Sequence, residues 1–204
     1  MSTLTELSDW TELMSRGTTN AMSGMSKMLE KEVRITCFDL KPFSPADGYG
    51  IAGGPDTTMV GVSLSVKEGA RGHILLLYPP KVAFGLIDML VGNAPGTTQE
   101  IGEMEASALC EVGNVVGSYF LNAIADDTGV RLLPSPPQVQ MDAAESIINV
   151  ALEDVLGAQS GKRIFAIQMV FDSADERLGG TLMILPSADF LRVVESPDNQ
   201  CCPE

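Results

Sequence analysis

The sequence predicts an α+β fold in which one unit occurs twice. Residues 72–79 and 179–186 share a frame of a glycine, a mostly apolar strand and a proline seven positions after the glycine. A further strand precedes each frame, at 58–66 and 163–171, across a short polar or glycine-containing turn that suits a hairpin. Each half therefore contains a hairpin followed by a proline that can open a helix.

A long helix is expected at the start of each half, at about 7–30 and 100–125, so that the order helix, strand, hairpin, helix occurs twice. Residues 93–99 are rich in turn formers and are the predicted junction. The second half adds a helix at about 142–157. The first half has residues 42–55 in that place, and their glycines and prolines predict a loop.

Pairing of the two copies about a pseudo-twofold axis predicts one continuous, mostly antiparallel sheet with the long helices packed on it. We expect a single domain over residues 1–204, composed of half-repeats at about 1–95 and 100–195, with residues 196–204 as a flexible tail. Hydrophobic residues make up 45% of the chain, which is enough to bury a substantial core.

Charge and apolar patterning argue against several classes of function. The formal net charge is −14, which repels a phosphate backbone, so nucleic acid is not expected as a ligand. The longest apolar run, 73–91, is interrupted by Pro79, Pro80, Lys81 and Asp88, and no membrane insertion is expected. The N-terminus lacks a basic region followed by an apolar run, so we expect no secretory signal and a cytoplasmic protein.

The cysteines and the single histidine indicate no metal site. Cys37, Cys110, Cys201 and Cys202 lack the spacing of zinc ligands and are interpreted as reduced thiols. His73 begins a buried strand pattern and has no nucleophile in a recognisable arrangement with it, so we expect it in the core or at a sheet edge.

The second long helix carries the candidate site. At about 100° per residue, Glu111 and Asn114 lie roughly 60° apart, with Ser107 and Ser118 beside them. An apolar stripe on the other side can dock the helix onto the sheet: Leu109, Val112, Val116, Phe120 and Ala123. The carboxylate and the carboxamide should therefore face outward. An asparagine side chain, with two N–H donors and a carbonyl acceptor, suits the orientation of a water molecule.

Superposing the two long helices sets Ser8, Glu12 and Ser15 of the first copy against the motif of the second. The carboxylate is kept, but serine replaces the carboxamide and offers a shorter side chain with one donor. The first copy is therefore predicted to be a degenerate site.

Ser107, Glu111 and Asn114, followed after twenty-two residues by Pro137, resemble the signature of the CheC, CheX and FliY phosphatases of bacterial and archaeal chemotaxis. The surrounding sequence is most similar to CheC in six segments: 111–123, 133–139, the predicted helix start at 141–142, 20–21, 26–27 and 53–55. The resemblance thus covers nearly the whole chain, and no segment corresponds to the additional C-terminal switch domain of FliY.

The resemblance implies a phosphatase that hydrolyses the aspartyl phosphate of a CheY-type response regulator. In that family the counterpart of Asn114 orients the attacking water, and the counterpart of Glu111 pairs with a lysine of the partner. Ser107 and Pro137 would support the motif or touch the partner. The resemblance implies no cofactor on this chain, with Mg²⁺ expected on the regulator instead.

Two other interpretations stay open at this point. The altered first copy also suits a non-catalytic adaptor that binds CheD or a response regulator, because some CheC relatives act largely through CheD. A structural homologue in an unrelated two-component pathway would show the same residues. Taken alone, Glu and Asn three positions apart are ordinary surface residues. The spaced proline and the internal repeat favour a functional site.

Overall fold

The computed structural model of the protein describes residues 2–156, 164–173, 179–187 and 190. The helices are α1 (Ser2–Leu29), α2 (Pro45–Ile51), α3 (Pro80–Val91), α4 (Glu103–Thr128) and α5 (Ala144–Leu156). The strands are β1 (Val33–Phe43), β2 (Thr58–Glu68), β3 (Gly72–Tyr78), β4 (Leu133–Pro134), β5 (Gln138–Ala143), β6 (Ile164–Ser173) and β7 (Gly179–Pro186). The predicted tail at 196–204, with its two cysteines, lies outside the described residues, as does most of the helical segment expected after Pro186.

The described strands form one antiparallel sheet, which confirms the predicted fold class. The order across the sheet is β1-β6-β7-β3-β2-β4, and β5 also pairs with β2. Both predicted hairpins are present, as β2 with β3 and as β6 with β7. The two hairpins lie side by side, because β3 pairs with β7 at the centre of the sheet.

The register of β3 against β7 is the one that a twofold axis requires. A step of 107 residues (179 − 72) relates the two copies, and it carries Ile74 to Thr181 and Leu77 to Ile184. Ile74 pairs with Ile184, and Leu77 pairs with Thr181. Replacing each residue by its counterpart in the other copy converts one of these pairs into the other. The two copies therefore meet symmetrically.

Each half supplies an outer strand to the other half. β1 precedes the first hairpin in the chain but pairs with β6 of the second. In return, β5 of the second half pairs with β2 of the first. The predicted repeat included a strand before each hairpin, but no residues were assigned to β1 or β5. The exchange interlocks the halves, because each hairpin depends on the other half for its outer neighbour.

The loop predicted at 42–55 is wrong over its first ten residues. β1 extends to Phe43, and α2 follows. Ser44 caps α2 through a reciprocal pair of hydrogen bonds: its hydroxyl accepts from the Asp47 N–H at 3.4 Å, and the Asp47 carboxylate accepts from the Ser44 N–H at 2.8 Å. The Tyr49 hydroxyl then donates to Asn149 Oδ1 of α5 at 2.7 Å. A cap and a tertiary contact thus stabilise a helix that the glycines of this segment do not predict.

Helices cover both faces of the sheet. On one face, α1, α3 and α4 share a core with Val62 and Ile74; on the other, α2 and α5 share a core with Leu75 and Leu77. Successive residues of a strand point to opposite faces, so β3 is buried along its whole length. His73 lies on this strand and is 4% exposed, so of its two predicted positions, the core or a sheet edge, it occupies the core.

One buried carboxylate fixes the junction between the halves. Asp88 accepts hydrogen bonds from the backbone N–H groups of Gly96, Thr97 and Thr98 at 2.7, 3.1 and 2.9 Å, and from the Thr98 hydroxyl at 2.6 Å. These donors, the Thr98 hydroxyl above all, hold the pKa of the Asp88 carboxyl below its ordinary value. The ionised side chain therefore orders the turn that leads into α4.

Candidate functional site

The predicted motif lies on α4, which begins three residues later than the sequence suggested. The Glu105 carboxylate accepts from the Gly102 N–H at 3.1 Å and caps the first turn. Gly129, with a φ of 70°, ends the helix in the left-handed conformation. The predicted apolar stripe is confirmed, since all of its members are buried: Leu109, Val112, Val116, Phe120 and Ala123.

The polar side of α4 faces outward. Ser107, Glu111, Asn114 and Ser118 are all exposed. Within the described part of the chain, no hydrogen bond or ion pair joins the side chain of Glu111 or Asn114 to another residue. Because the two side chains are three residues apart on a helix, they can engage one partner group from adjacent positions.

Two glycines allow α4 to lie close to β2. A Cβ atom on Gly113 would come within 2.8 Å of Val62 Cγ1 and 3.1 Å of Pro137 Cβ. A Cβ atom on Gly117 would come within 3.0 Å of Leu64 Cδ2. Real Cβ atoms rarely approach so closely, so α4 occupies this position only because both residues lack a side chain.

Pro137 lies against the motif helix, although it is far from it in sequence. The Cys110 thiol donates to the Pro137 carbonyl oxygen at 3.4 Å, and burial raises the pKa of this thiol. Ser135 ties the same segment to β2: its N–H donates to Ser65 O at 2.7 Å, and its hydroxyl accepts from the Ser65 N–H at 3.0 Å. Residues 134–137 thus form a rim beside Asn114, which follows Cys110 by one helical turn.

A second contact flanks the motif where α4 packs against α1. Gly24 lies under the ring of Tyr119, since a Cβ atom there would come within 2.7 Å of it. The Lys27 ammonium lies 5.5 Å from the centre of the same ring, in cation–π geometry. The sequence carried no signal for this contact, because two helices some ninety residues apart in the chain must first meet.

The first copy of the motif lies on α1 and differs in its surroundings. Glu12 is exposed, and Ser15 is half-buried. Ser8 also lies in α1, but its side chain is outside the described part of the structure. Next to Ser15, Arg16 forms an ion pair with Asp127 of α4 at 3.1 Å. Ser15, Arg16 and Asp127 border a shallow cavity of about 310 Å³. Its other lining residues are Thr19, Asn20, Ala123 and Asp126.

The described residues were also compared with the requirements of a metal site and of a membrane span. Within the described ranges, no group of three or more His, Cys, Asp and Glu side chains is placed to hold a metal ion, and Cys37 and Cys110 are free thiols. Among the described helices, α4 has the length and composition of a membrane span. However, 50% of that stretch is buried inside the protein, as in a core helix.

The segment that carries the motif also matches a known protein family. Residues 104–141, which include the motif, the rim and most of β5, match the sequence model of the CheC-like family. A protein of Bacillus subtilis (strain 168) named CheY-P phosphatase CheC is 27% identical over 182 residues, which cover 87% of this chain and 86% of that protein. The resemblance to the CheC-type family is confirmed.

Solved structures show that this chain shares its fold with FliY and with the middle domain of FliM. FliY of Thermotoga maritima superposes with a TM-score of 0.69 at 16% identity, over 91% of each chain. The middle domain of FliM from H. pylori superposes with a TM-score of 0.63 at 16% identity, over 97% of this chain and 99% of that one. The common fold therefore extends over both interlocked halves.

Proposed function

We propose that this chain is a phosphatase that hydrolyses the aspartyl phosphate of a CheY-type response regulator. The observation that carries the proposal is the exposure of Glu111 and Asn114 one turn apart on α4, with Pro137 packed against the same helix. The name of the Bacillus subtilis relative, a CheY-P phosphatase, supports the same reaction. The cytoplasmic location expected from the sequence agrees with such a substrate.

A site of this shape suits a substrate that is itself a protein. Glu111 and Asn114 lie on the outer face of a helix. Neither lines the cavity beside Ser15, nor a second cavity that is bordered by α3 residues such as Val82 and Phe84. Small-molecule sites usually enclose most of their ligand. A protein, in contrast, can present its phosphorylated side chain, together with a pocket of its own, to an exposed helix.

The role assigned to Asn114 is to orient the attacking water. Its carboxamide can donate to the water oxygen and accept from a water hydrogen, which orients the lone pair toward phosphorus. The water attacks in line, and the bond between phosphorus and the aspartyl oxygen breaks. Aspartate leaves as a carboxylate, and the proton of the water passes to the released phosphate or to solvent. Because an acyl phosphate has a good leaving group, alignment of the water supplies much of what the reaction lacks.

The role assigned to Glu111 is to bind the response regulator. Its exposed carboxylate can pair with the lysine that the resemblance implies near the phosphorylated aspartate of the regulator. Such a charge pair, once water is displaced at the interface, fixes the relative orientation of the two proteins. The resemblance also implies that the regulator brings Mg²⁺, which neutralises phosphoryl charge when bound. Ser107 and Pro137 flank the two working side chains.

The test is a phosphate-release assay on a phosphorylated CheY-type regulator from the same genome. We expect Asn114→Ala to slow hydrolysis by at least about ten- to a hundredfold, the scale of a positioned catalytic group. Asn93→Ala is the control, because Asn93 is an exposed asparagine outside α4 and outside the motif. Equal rates for wild type and Asn114→Ala would exclude the catalytic role of this carboxamide.

A non-catalytic adaptor is the second candidate, and two observations favour it. The first copy lacks the carboxamide at Ser15, and the same fold occurs in FliM, which has been crystallised in complex with FliG. An adaptor would capture CheD or a regulator in a pull-down while leaving the half-life of the phosphorylated regulator unchanged. A phosphatase would shorten that half-life at substoichiometric concentration.

A further inference from the structure

Met104 is the most exposed large apolar side chain among the described residues, at 61%. It lies in the first turn of α4, which the Gly102–Glu105 capping bond already stabilises. Polar residues with straight side chains support a helix about as well as methionine does. Neither the helix nor the core therefore requires an apolar residue at this position.

Met104 lies on the same face of α4 as the proposed phosphatase motif. It precedes Glu111 by seven residues, so the two positions are about 20° apart around the helix axis and about 10 Å apart along it. Ser107 and Ala108, which lie between them, have small side chains. The methionine thus projects next to the motif, and the small residues between them on the helix do not cover it.

Only the second copy has this residue. The step of 99 residues that relates Glu12 to Glu111 relates Thr5 to Met104. The exposed methionine therefore accompanies the intact carboxamide and is lacking where the carboxamide is lost. A flexible, polarisable side chain of this kind is common on surfaces that adapt to a protein partner.

We propose that Met104 is the apolar anchor of the surface that binds the response regulator, entering an apolar depression on the regulator while Glu111 and Asn114 engage its phosphorylation site. The inference rests on the phosphatase function proposed above and adds the residue that sets affinity for the substrate. At about 10 Å from Glu111 along the helix, Met104 does not reach the reacting atoms, so it acts on binding and not on the chemical step.

The test measures KM and kcat separately with the phosphorylated regulator. Met104→Gln keeps the length and helix propensity of the side chain but removes its apolar character. We expect KM to rise about tenfold with kcat unchanged, as for the loss of an interface anchor. Met104→Leu, which stays apolar, should remain close to wild type. Val150→Thr is the matched control, because Val150 is 53% exposed on α5 and α5 covers the opposite face of the sheet.

Each alternative result has a definite meaning once circular dichroism shows that the variants are folded. An unchanged KM for Met104→Gln, with wild type active and Asn114→Ala inactive, overturns the anchor and leaves the phosphatase intact. A lower kcat at unchanged KM also overturns it. A wild type that leaves every phosphorylated regulator intact overturns both proposals together.

Discussion

The two copies of the motif keep the same inner face and differ on the outer one. α4 turns Val112, Val116 and Phe120 into the core, and α1 does the same with Met14 and Met22. On the outside, α4 exposes the full set of polar positions, whereas α1 has Ser15 at the position of the carboxamide. Folding depends on the inner face, so the duplicated fold can persist after one copy has lost its chemistry.

The surroundings of the two motifs have diverged as well. The step of 99 residues (111 − 12) relates Arg16 to Val115 and Asp127 to Met28. The ion pair beside Ser15 therefore corresponds to a pair of half-buried apolar residues beside Asn114, Val115 of α4 and Met28 of α1. The first motif, which lacks the carboxamide, thus has a charged pair beside it, whereas the second motif has an apolar pair.

The approach of the helix to the sheet differs too. The same step relates Gly113 to Met14 and Gly117 to Thr18. α1 has side chains at the two positions where α4 has none, so the close contact that brings Pro137 against the helix belongs to the second copy. Restoring an asparagine on α1 would therefore rebuild only part of the site.

The strongest test of this difference is Gly113→Ala. The new Cβ would meet Val62 at 2.8 Å and Pro137 at 3.1 Å. We expect a destabilisation of about 1–3 kcal/mol in urea unfolding, the usual cost of overpacking. We also expect a loss of phosphatase activity of about tenfold or more, because the rim is displaced from Asn114. Gly85→Ala is the control, because a Cβ there meets nothing within 4 Å; it should leave activity unchanged and raise stability by about 0.5–1 kcal/mol, since alanine is the better helix former inside α3. Full activity in folded Gly113→Ala would show that the rim is dispensable.

A smaller effect is expected from Ser15→Asn in the Asn114→Ala background. Glu12 is already exposed on α1, so the new amide completes a Glu–Asn pair on that helix. We expect phosphate release to rise about threefold above the background, a fraction of a positioned group's usual contribution, because the rim is not reproduced. Adding Arg16→Val should increase the gain by removing the neighbouring charge. No increase in either variant would locate the defect of the first copy beyond these two positions.

The smallest effect is expected from Arg16→Ala alone. The ion pair with Asp127 is largely exposed to solvent on the arginine side. Such pairs contribute about 0–1 kcal/mol, so the urea midpoint should move little and phosphatase activity should stay at the wild-type level. A large loss of stability would instead mean that this pair is a principal link between α1 and α4.

Local patterns in the sequence were sufficient for the hairpins, the long helices and the outward face of Glu111 and Asn114. They failed at β1, α2 and β5. β1 and β5 are stabilised by strands of the opposite half, and α2 depends on a cap at Ser44 and a hydrogen bond from Tyr49 to α5. The opposite strands and the α5 partner of Tyr49 are far away in the chain, so no local pattern indicates them. The Ser44 cap, in contrast, is local: Ser44 and Asp47 are spaced as a capping box, and this signal was overlooked among the glycines of the segment.

The candidate site divides in the same way. Its helical spacing belongs to a single element, and the sequence alone determines it through the 100° turn per residue. The contacts of Pro137 with Gly113 and Cys110 and of Lys27 with Tyr119 join segments that meet only after the halves interlock. Tertiary structure decided these contacts, because they depend on distances between elements and not on the period within one.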